Sequence, residues 1–255
     1  MNAPPSVMRA WRRFAGVPCE TFTKGYWFRR CDGRPRQRTV TQLRQHQGAY
    51  GAGGNCFDLT YWLLHALREA GFSARIVSRD LLEYDAHVAL IVEALGGDYL
   101  CDLGDMWYQP VRVAEHAGWL DGYVPGRSIR IRPHDDALEI DCRDELGSVR
   151  VERYDLTRID EETFLRACDH SQNLLRRPFC QVLRPSPVSG ALELWGYDRE
   201  ETYVAGARGH VYDPRCDTRA EWIARIAAMA GMAPTLIDEG FAAYDEAAVA
   251  PPPNI

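Results

Sequence analysis

The spacing of apolar residues along this chain of 255 residues changes at Ser73. Between positions 55 and 70, apolar side chains recur every three or four residues, which is the period of an amphipathic helix. After Ser73, short segments alternate between apolar and polar residues, which is the period of a strand. The chain is therefore predicted to be helical first, then β, and mixed towards its end.

The alternating segments are short and closely spaced, which favours a small antiparallel barrel or sandwich. They predict strands over 74–79, 86–92, 98–103, 127–132, 137–140 and 148–151, with one or two more between 192 and 204. Helices are predicted over 39–47, 55–70 and 160–175. Thr218 and Glu221 form a capping box that opens a last amphipathic helix.

Composition excludes several classes of protein. Hydrophobic residues make up 46% of the chain and the formal charge is −6, so the chain as a whole is not disordered. No run approaches the roughly 20 apolar residues of a membrane helix, and the acidic balance argues against a general nucleic-acid binder. Because the first residues also lack the pattern of a secretory signal, we expect a cytosolic protein that binds neither membrane nor nucleic acid.

The cysteines of the chain are scattered, without a C-x-x-C pair, and this pattern predicts reduced thiols and no zinc or other metal site. Most buried cysteines are simply small hydrophobic residues, so a functional one has to be recognised by its position. The eight are Cys19, Cys31, Cys56, Cys101, Cys142, Cys168, Cys180 and Cys216.

Cys56 differs from the other cysteines because it is predicted at the first position of a helix. Asn55 is a good N-cap, Asp58 completes a capping box, and Gly53 and Gly54 precede them. Free backbone N–H groups and the positive end of the helix dipole favour a thiolate there. The same N–H groups can hold an oxyanion.

A nucleophilic cysteine needs a base and a group that orients the base. His87 and Asp102 lie on neighbouring strands and share a face if the turn between them is Gly96-Gly97. That register places Ile91 opposite Asp102 and leaves His87 about 13 Å along the strand, so a bulge or strong twist is required. The pattern permits a catalytic triad, but each residue alone also fits a structural role.

The sequence resembles the arylamine N-acetyltransferases at several motifs. The hallmark R-G-G-x-C-x-E is similar to AGGNCFD at 52–58, and L-x-x-L-G-F-x-V-R is similar to LREAGFSAR at 67–75. The H-L-x-L-x-V strand resembles HVALIV at 87–92, and D-V-G-F-G resembles DLGDM at 102–106. The motif P-F-E-N-L resembles PCETF at 18–22. A weak similarity continues between 169 and 179, so the resemblance covers most of the chain.

The resemblance implies an α+β fold with three domains. They are a helical bundle over 1–85 with the nucleophile, an antiparallel β-barrel over 86–185 with the histidine and aspartate, and an α/β lid over 186–255. Carried over to this sequence, Cys56 is the nucleophile, His87 activates it and Asp102 orients His87. An acetyl group passes from acetyl-CoA to Cys56 and then to a small amine by a ping-pong route, with no permanently bound cofactor.

Three other functions remain open at this point. One is an amide synthase of the same fold that takes a longer acyl chain from a carrier protein. Another is amide hydrolysis, with water as the acyl acceptor. The third is a catalytically silent binding protein on the inherited fold.

The departures from the family motifs concern the substrate. Ala52 replaces the motif arginine, Asp58 shortens the glutamate, and Asp105 and Met106 replace Phe-Gly. We predict a substrate-binding role for Gly53, Gly54, Asp105, Met106 and Trp107. Loss of aromatic residues and gain of a carboxylate predict a cationic or polar acceptor rather than a flat arylamine.

The basic residues of the chain are almost all arginine, and Lys24 is the only lysine. We interpret this as compositional bias. An arginine cluster could attract the phosphates of CoA, although a solvated face with acidic partners is the more common role of such a cluster. It consists of Arg29, Arg30, Arg34, Arg36, Arg38 and Arg44.

Overall fold

The computed structural model describes residues 3–32, 34–81, 83, 86–206 and 209–249. Its helices are α1 (Pro5–Trp11), α2 (Phe22–Arg30), α3 (Val40–Tyr50), α4 (Cys56–Glu69), α5 (Glu161–Gln172), α6 (Arg219–Ala230) and α7 (Pro234–Val249). Its strands are β1 (Cys19–Glu20), β2 (Ala74–Arg79), β3 (His87–Ala94), β4 (Gly97–Cys101), β5 (Val111–Arg112), β6 (Leu120–Val124), β7 (Arg127–Pro133), β8 (Ala137–Arg143), β9 (Val149–Asp155), β10 (Phe179–Pro185), β11 (Leu192–Asp198), β12 (Glu201–Gly206) and β13 (Gly209–Tyr212). Within the described residues, no helix combines the length and apolar character that crossing a membrane requires.

Eight strands form one antiparallel sheet in the order β5-β4-β3-β2-β9-β8-β7-β6. The sheet curls into a nearly closed barrel, and the Tyr108 N–H donates to the Tyr123 carbonyl (2.8 Å) across the gap between its ends. Inward-facing residues of the barrel alternate with outward-facing ones, as on Ile129 and Ile131 of β7, which are fully buried. The predicted α+β fold with an antiparallel barrel is confirmed.

A second sheet has the order β1-β10-β11-β12-β13 and packs with α6 and α7. The predicted domain limits stay a prediction. Paired strands β2 and β3 lie on either side of the 85/86 limit, and the paired strands β10 and β11 lie on either side of the 185/186 limit. Position 85 and the last six residues of the chain lie outside the described residues.

Helix α4 forms as its sequence predicts. The Asn55 side chain accepts from the backbone N–H groups of Phe57 and Asp58, and the Asp58 carboxylate accepts from the Asn55 N–H. Leu63 and Leu67 bury the apolar face against the barrel and α1. This closed capping box fixes where the helix starts, and therefore where the Cys56 side chain leaves the backbone.

The turn between β3 and β4 lies one residue earlier than the sequence predicts. Ala94 pairs with Gly97, so the two turn residues are Leu95 and Gly96 rather than Gly96 and Gly97. A two-residue hairpin turn requires a positive φ, and Gly96 adopts 94°. Two adjacent glycines made both placements plausible from sequence.

The corrected register brings the histidine nearer to the aspartate. Leu90 pairs with Cys101, and continuing this register places Ala89 opposite Asp102. His87 is then two residues from that point, about 7 Å along the strand, instead of four. Because the side chains still share one face, the imidazole reaches the carboxylate without a bulge.

Candidate active site

Cys56 occupies the first position of α4 and is half-buried, while the glycines before it are enclosed. A side chain on Gly53 would strike the Pro18 carbonyl at 1.9 Å, and one on Gly54 would strike the Arg38–Asp58 pair at 2.4 Å. Gly53 and Gly54 therefore let the backbone pass close to its neighbours. Their predicted contact with substrate remains a prediction.

The histidine and aspartate form a buried pair at the ends of β3 and β4. His87 Nε2 lies 2.8 Å from Asp102 Oδ2, and Asp102 has no solvent exposure. The Tyr154 hydroxyl donates to the same oxygen (2.6 Å), and the Asp105 N–H donates to Oδ1 (2.9 Å). With Nε2 facing the carboxylate, Nδ1 is the nitrogen left for another partner.

Gly104 shows how closely Cys56 and His87 approach. A Cβ on Gly104 would lie 2.5 Å from Cys56 Cβ and 2.7 Å from His87 Cε1. The distance between Cys56 Cβ and His87 Cε1 is therefore at most the sum of these two distances. Cys56 Sγ lies 4.0 Å from the carbonyl of Ala86, the residue before His87. The thiol, the imidazole and the Asp102 carboxylate thus form one cluster between α4 and the barrel.

Asp105 is a second carboxylate beside the imidazole. Its Oδ2 lies 3.8 Å from His87 Nε2 and 2.7 Å from an Arg79 nitrogen, and Arg79 also pairs with Glu152 (2.9 Å). Burial disfavours a charged imidazole, but Asp102 and Asp105 outweigh it and hold the pKa of His87 well above its usual range. Burial also opposes ionisation of Asp105, yet His87 and Arg79 keep its pKa below the usual range. The centre therefore favours an imidazolium flanked by two carboxylates.

Asp105→Asn provides a test of this charge arrangement. The substitution removes one of the two negative charges and leaves the Arg79 cation in place, so we expect the pKa of His87 to fall. An NMR titration of the labelled histidine ring measures it directly. Asp135→Asn, a change at an exposed position in the β7–β8 turn, is the matched control and should leave the titration unchanged. An unaltered or higher pKa of His87 in Asp105→Asn would contradict the argument.

Asp58 is the centre of a buried polar network below the helix start. Its Oδ2 lies 2.9 Å from an Arg38 nitrogen, and neither side chain has solvent exposure. Gln37 and Gln172 donate to Oδ1 at 2.8 and 3.1 Å. The network ties α4 to α5 and to the segment before α3, so the backbone that carries Cys56 is held from three sides.

An apolar pocket of about 190 Å³ is lined by residues near Cys56 and Gly104 in the sequence, although neither of these two residues lines it. Leu59 lies one helical turn after Cys56, and Leu103 and Met106 lie on either side of Gly104. The pocket is lined by Met8, Trp11, Arg12, Phe14, Ala15, Gly16, Val17, Leu59, Leu103, Met106, Trp107, Tyr108, Leu183 and Leu192. Met106 and Trp107 line this pocket, and their predicted contact with substrate stays a prediction.

Asp105 opens on a different and more polar pocket of about 220 Å³. Arg127, Arg150 and Glu152 share it, and Trp107 separates it from the apolar pocket by lining both. The Asp105 carboxylate is therefore neutralised by arginine and does not point into the apolar pocket. This arrangement does not support the predicted recruitment of a cationic acceptor by Asp105.

His87, Asp102 and Asp105 also bring one potential metal-ligand atom each within 4.8 Å of one another. Asp102 already accepts hydrogen bonds at both oxygens, and Asp105 already pairs with Arg79. The positions of these side chains are explained without a metal ion.

The predicted arginine cluster does not converge on one site. Arg29 pairs with Glu246, Arg30 with Glu239, Arg38 with Asp58 and Arg44 with Glu69. Glu239 and Glu246 lie on α7, whereas Asp58 and Glu69 lie on α4. The described part of the cluster therefore matches a set of separate ion pairs better than a phosphate site.

Sequence reasoning missed three residues that shape the site: Tyr154, Arg79 and Arg38. Tyr154 reaches Asp102 from β9, which is distant in the chain, and only the strand pairing of β2 with β9 brings it there. A usable signal existed for Arg38. The motif arginine is absent at Ala52, so a buried Asp58 required a cation from elsewhere.

Comparison with known proteins gives a result at the level of structure only. No protein-family model matches the chain, and no curated protein matches it in sequence. The arylamine N-acetyltransferase from Mycobacterium marinum in complex with CoA is similar over 94% of this chain and 91% of its own, with 13% identity and a TM-score of 0.70. The Nocardia farcinica arylamine N-acetyltransferase is similar over 93% and 86%, with 17% identity and a TM-score of 0.71. The Salmonella typhimurium enzyme is similar over 92% and 89%, with 14% identity and a TM-score of 0.70.

The barrel, the helices before it and the second sheet define an α+β protein. More specifically, the chain has the arylamine N-acetyltransferase fold. The resemblance inferred from the sequence motifs is confirmed at this level.

Proposed function

We propose that this protein is an acyltransferase that carries an acyl group from a CoA thioester, through a thioester on Cys56, to an amine. The observation that carries the proposal is the approach of Cys56 and His87 at Gly104, together with the His87–Asp102 hydrogen bond of 2.8 Å. A nucleophile, a base and an orienting carboxylate in contact are the minimum for covalent acyl transfer. The similarity to a CoA complex supports CoA as the carrier of the acyl group.

The first half-reaction starts from the Cys56 thiolate beside the protonated His87. The thiolate attacks the thioester carbonyl. Because the Phe57 and Asp58 N–H groups donate to Asn55, the Cys56 N–H is the first-turn donor that we propose for the oxyanion. The C–S bond to CoA breaks, and CoA leaves as a thiol with the proton from His87. In the second half-reaction the amine attacks the Cys56 thioester, His87 takes the amine proton, and the thiolate is released.

The apolar pocket is the site we propose for the amine. Its lining includes Leu59, one helical turn after Cys56, and Leu103, next to Gly104, and aromatic rings of Trp11 and Trp107 form its walls. An uncharged amine with an apolar body fits this surface better than a cation. Such a substrate is also the nucleophilic form that the second half-reaction needs.

Intact-mass measurement after incubation with acetyl-CoA tests the proposal. We expect a stoichiometric acetyl adduct on the wild type and none on Cys56→Ala. Cys31→Ala is the matched control, because Cys31 and Cys56 are the two cysteines that are not buried. The control should acetylate like the wild type. No adduct on the wild type from acetyl-CoA or from longer acyl thioesters would refute the proposed enzyme and favour a silent binding protein.

An amide synthase that draws on a carrier protein is the second candidate. Two observations favour it: the apolar pocket has room for an extended acyl chain, and the described arginines of the basic cluster are mostly engaged in ion pairs. Parallel reactions with an acyl-pantetheine and the matching acyl-CoA separate the two. Equal acylation rates favour the carrier-protein function, since CoA phosphates then contribute nothing.

A further inference from the structure

Lys24, the only lysine of the chain, is buried on α2 with 7% of its surface exposed. Within the described residues it forms neither a hydrogen bond nor an ion pair. Both neighbours of Lys24 are held in place. The Thr23 hydroxyl donates to Glu20, and Gly25 packs closely against Gly240 of α7, so the backbone of α2 is fixed on both sides. Burying a cation without a partner is unfavourable, and its retention calls for a ligand that supplies the opposite charge.

The Lys24 side chain lines a small cavity of about 70 Å³ on one side of Cys56. Phe57, the residue after Cys56, forms part of the wall, as does Ala86, whose carbonyl lies 4.0 Å from Cys56 Sγ. The other lining residues are Leu81, Glu83, Ala167, His170, Ser171, Leu174 and Arg176. None of these lining residues is shared with the apolar pocket, so the two cavities are distinct.

The charges around this cavity are predominantly positive. Among the described lining residues, Lys24 and Arg176 are cations, and Glu83, which is exposed, is the one carboxylate. Burial lowers the pKa of Lys24 to about 8, while Cys56 and Asp58 act in the opposite direction. Lys24 is therefore charged at neutral pH, and its charge and that of the Cys56 thiolate act on each other.

We propose that the Lys24 cavity holds a carboxylate at the far end of the acyl group on Cys56, so that the preferred donors are dicarboxylic half-thioesters rather than acetyl-CoA. This inference rests on the proposed acyl transfer through Cys56. The cavity is far smaller than the 300–1,000 Å³ of typical ligand sites, which suits a carboxylate on one or two methylene groups. In the acyl-enzyme Cys56 no longer carries a charge, and the substrate carboxylate then supplies the opposite charge for Lys24.

The chemistry balances as in any thioester exchange. The Cys56 thiolate attacks the thioester carbonyl of the donor, the bond to the CoA sulfur breaks, and CoA takes up the proton held by His87. The distal carboxylate stays ionised and forms no covalent bond. It only binds Lys24, before and after the exchange.

The test measures acylation of Cys56 by intact mass without any amine. Malonyl-CoA and succinyl-CoA are compared with their uncharged isosteres, 3-methylbutyryl-CoA and 4-methylpentanoyl-CoA. We expect the better charged donor to acylate the wild type about 10- to 100-fold faster than its isostere, the range of one charge-assisted hydrogen bond. Lys24→Met should remove this preference, so that each charged donor acylates Cys56 no faster than its isostere. Arg9→Met, which neutralises an exposed arginine on α1, should retain the preference.

The outcomes separate this inference from the proposed function. Equal rates for charged donors and isosteres on the wild type would overturn the carboxylate site but preserve acyl transfer. Equal slowing of charged donors and isosteres in Lys24→Met would lead to the same conclusion. Acylation by Lys24→Gln and the thermal midpoint of each variant show whether misfolding causes such slowing. Absence of acylation by every donor would refute both proposals.

Discussion

Replacement of Gly104 by alanine should lower the rate of Cys56 acylation by at least about 100-fold, because 1 Å of misplacement in a reacting pair has effects of that size. The added Cβ would lie 2.5 Å from Cys56 Cβ and 2.7 Å from His87 Cε1, distances that real Cβ contacts do not reach. The loop, the thiol or the imidazole must therefore move. Movement of the loop would also disturb the Asp105 N–H bond to Asp102.

Gly118→Ala is the matched control for this prediction. Gly118 is exposed in the loop before β6, and a Cβ there meets no atom within 4 Å. The control should acylate at the wild-type rate, while Gly104→Ala should remain folded with a thermal midpoint only modestly lower. Wild-type acylation by Gly104→Ala would mean that Cys56 and His87 do not act at the separation seen here.

The sequence predicts best where a structural feature is local. The start of α4 follows from Asn55, Cys56 and Asp58 alone, because a capping box is closed by residues three positions apart. The alternation of β2 and β3 follows from side-chain period in the same way. These two features already bring the candidate nucleophile and the candidate base to the ends of their elements.

Prediction fails where the outcome depends on distant partners. The turn at Leu95-Gly96 moved the register of β3 and β4, and two adjacent glycines offered no means to choose between the alternatives. Helix α2 was missed since its buried face includes Lys24 and Thr23, which do not show an apolar stripe. Hydrophobic patterns do not predict that polar residues are buried, and buried polar residues surround this site.

Asp105 illustrates a further limit. From sequence, a carboxylate beside the catalytic motif predicts affinity for a cationic substrate. In the structure, Arg79 of β2 binds that carboxylate at 2.7 Å, and Glu152 of β9 shares the same arginine. The negative charge of Asp105 therefore interacts with other protein groups, and it raises the pKa of His87 rather than binding a ligand. The net charge of a site therefore cannot be predicted from the sequence of a single segment, because residues of other strands contribute to it.

Arg38 makes a similar point about the motif arginine that Ala52 replaces. Ala52 is fully buried in the apolar cluster under α6 and α7, where an arginine would have no room for its charge. Arg38 approaches from the segment before α3 and reaches both Asp58 Oδ2 (2.9 Å) and the Gly53 carbonyl (3.5 Å). The cation has been retained next to the helix start, although it comes from a different part of the chain.

Arg38→Met should consequently lower the free energy of unfolding by about 3–5 kcal/mol, the usual loss when one partner of a buried ion pair is removed. Asp58 would keep its hydrogen bonds from Gln37 and Gln172 but lose its counter-charge. Chemical denaturation monitored by tryptophan fluorescence measures the change. The double variant Arg38→Met, Asp58→Asn should regain part of the loss, because no buried charge is then left without its partner.

Arg44→Met is the matched control, since Arg44 and Glu69 form a half-exposed pair on the neighbouring helices α3 and α4. Ion pairs in that setting contribute little, so the control should unfold at the wild-type denaturant midpoint. An Arg38→Met protein as stable as this control would show that Asp58 is accommodated without the arginine. In the expected case, the double variant should also recover stability without recovering the full rate of Cys56 acylation, because the loop at Gly53 has lost the contact that positions it.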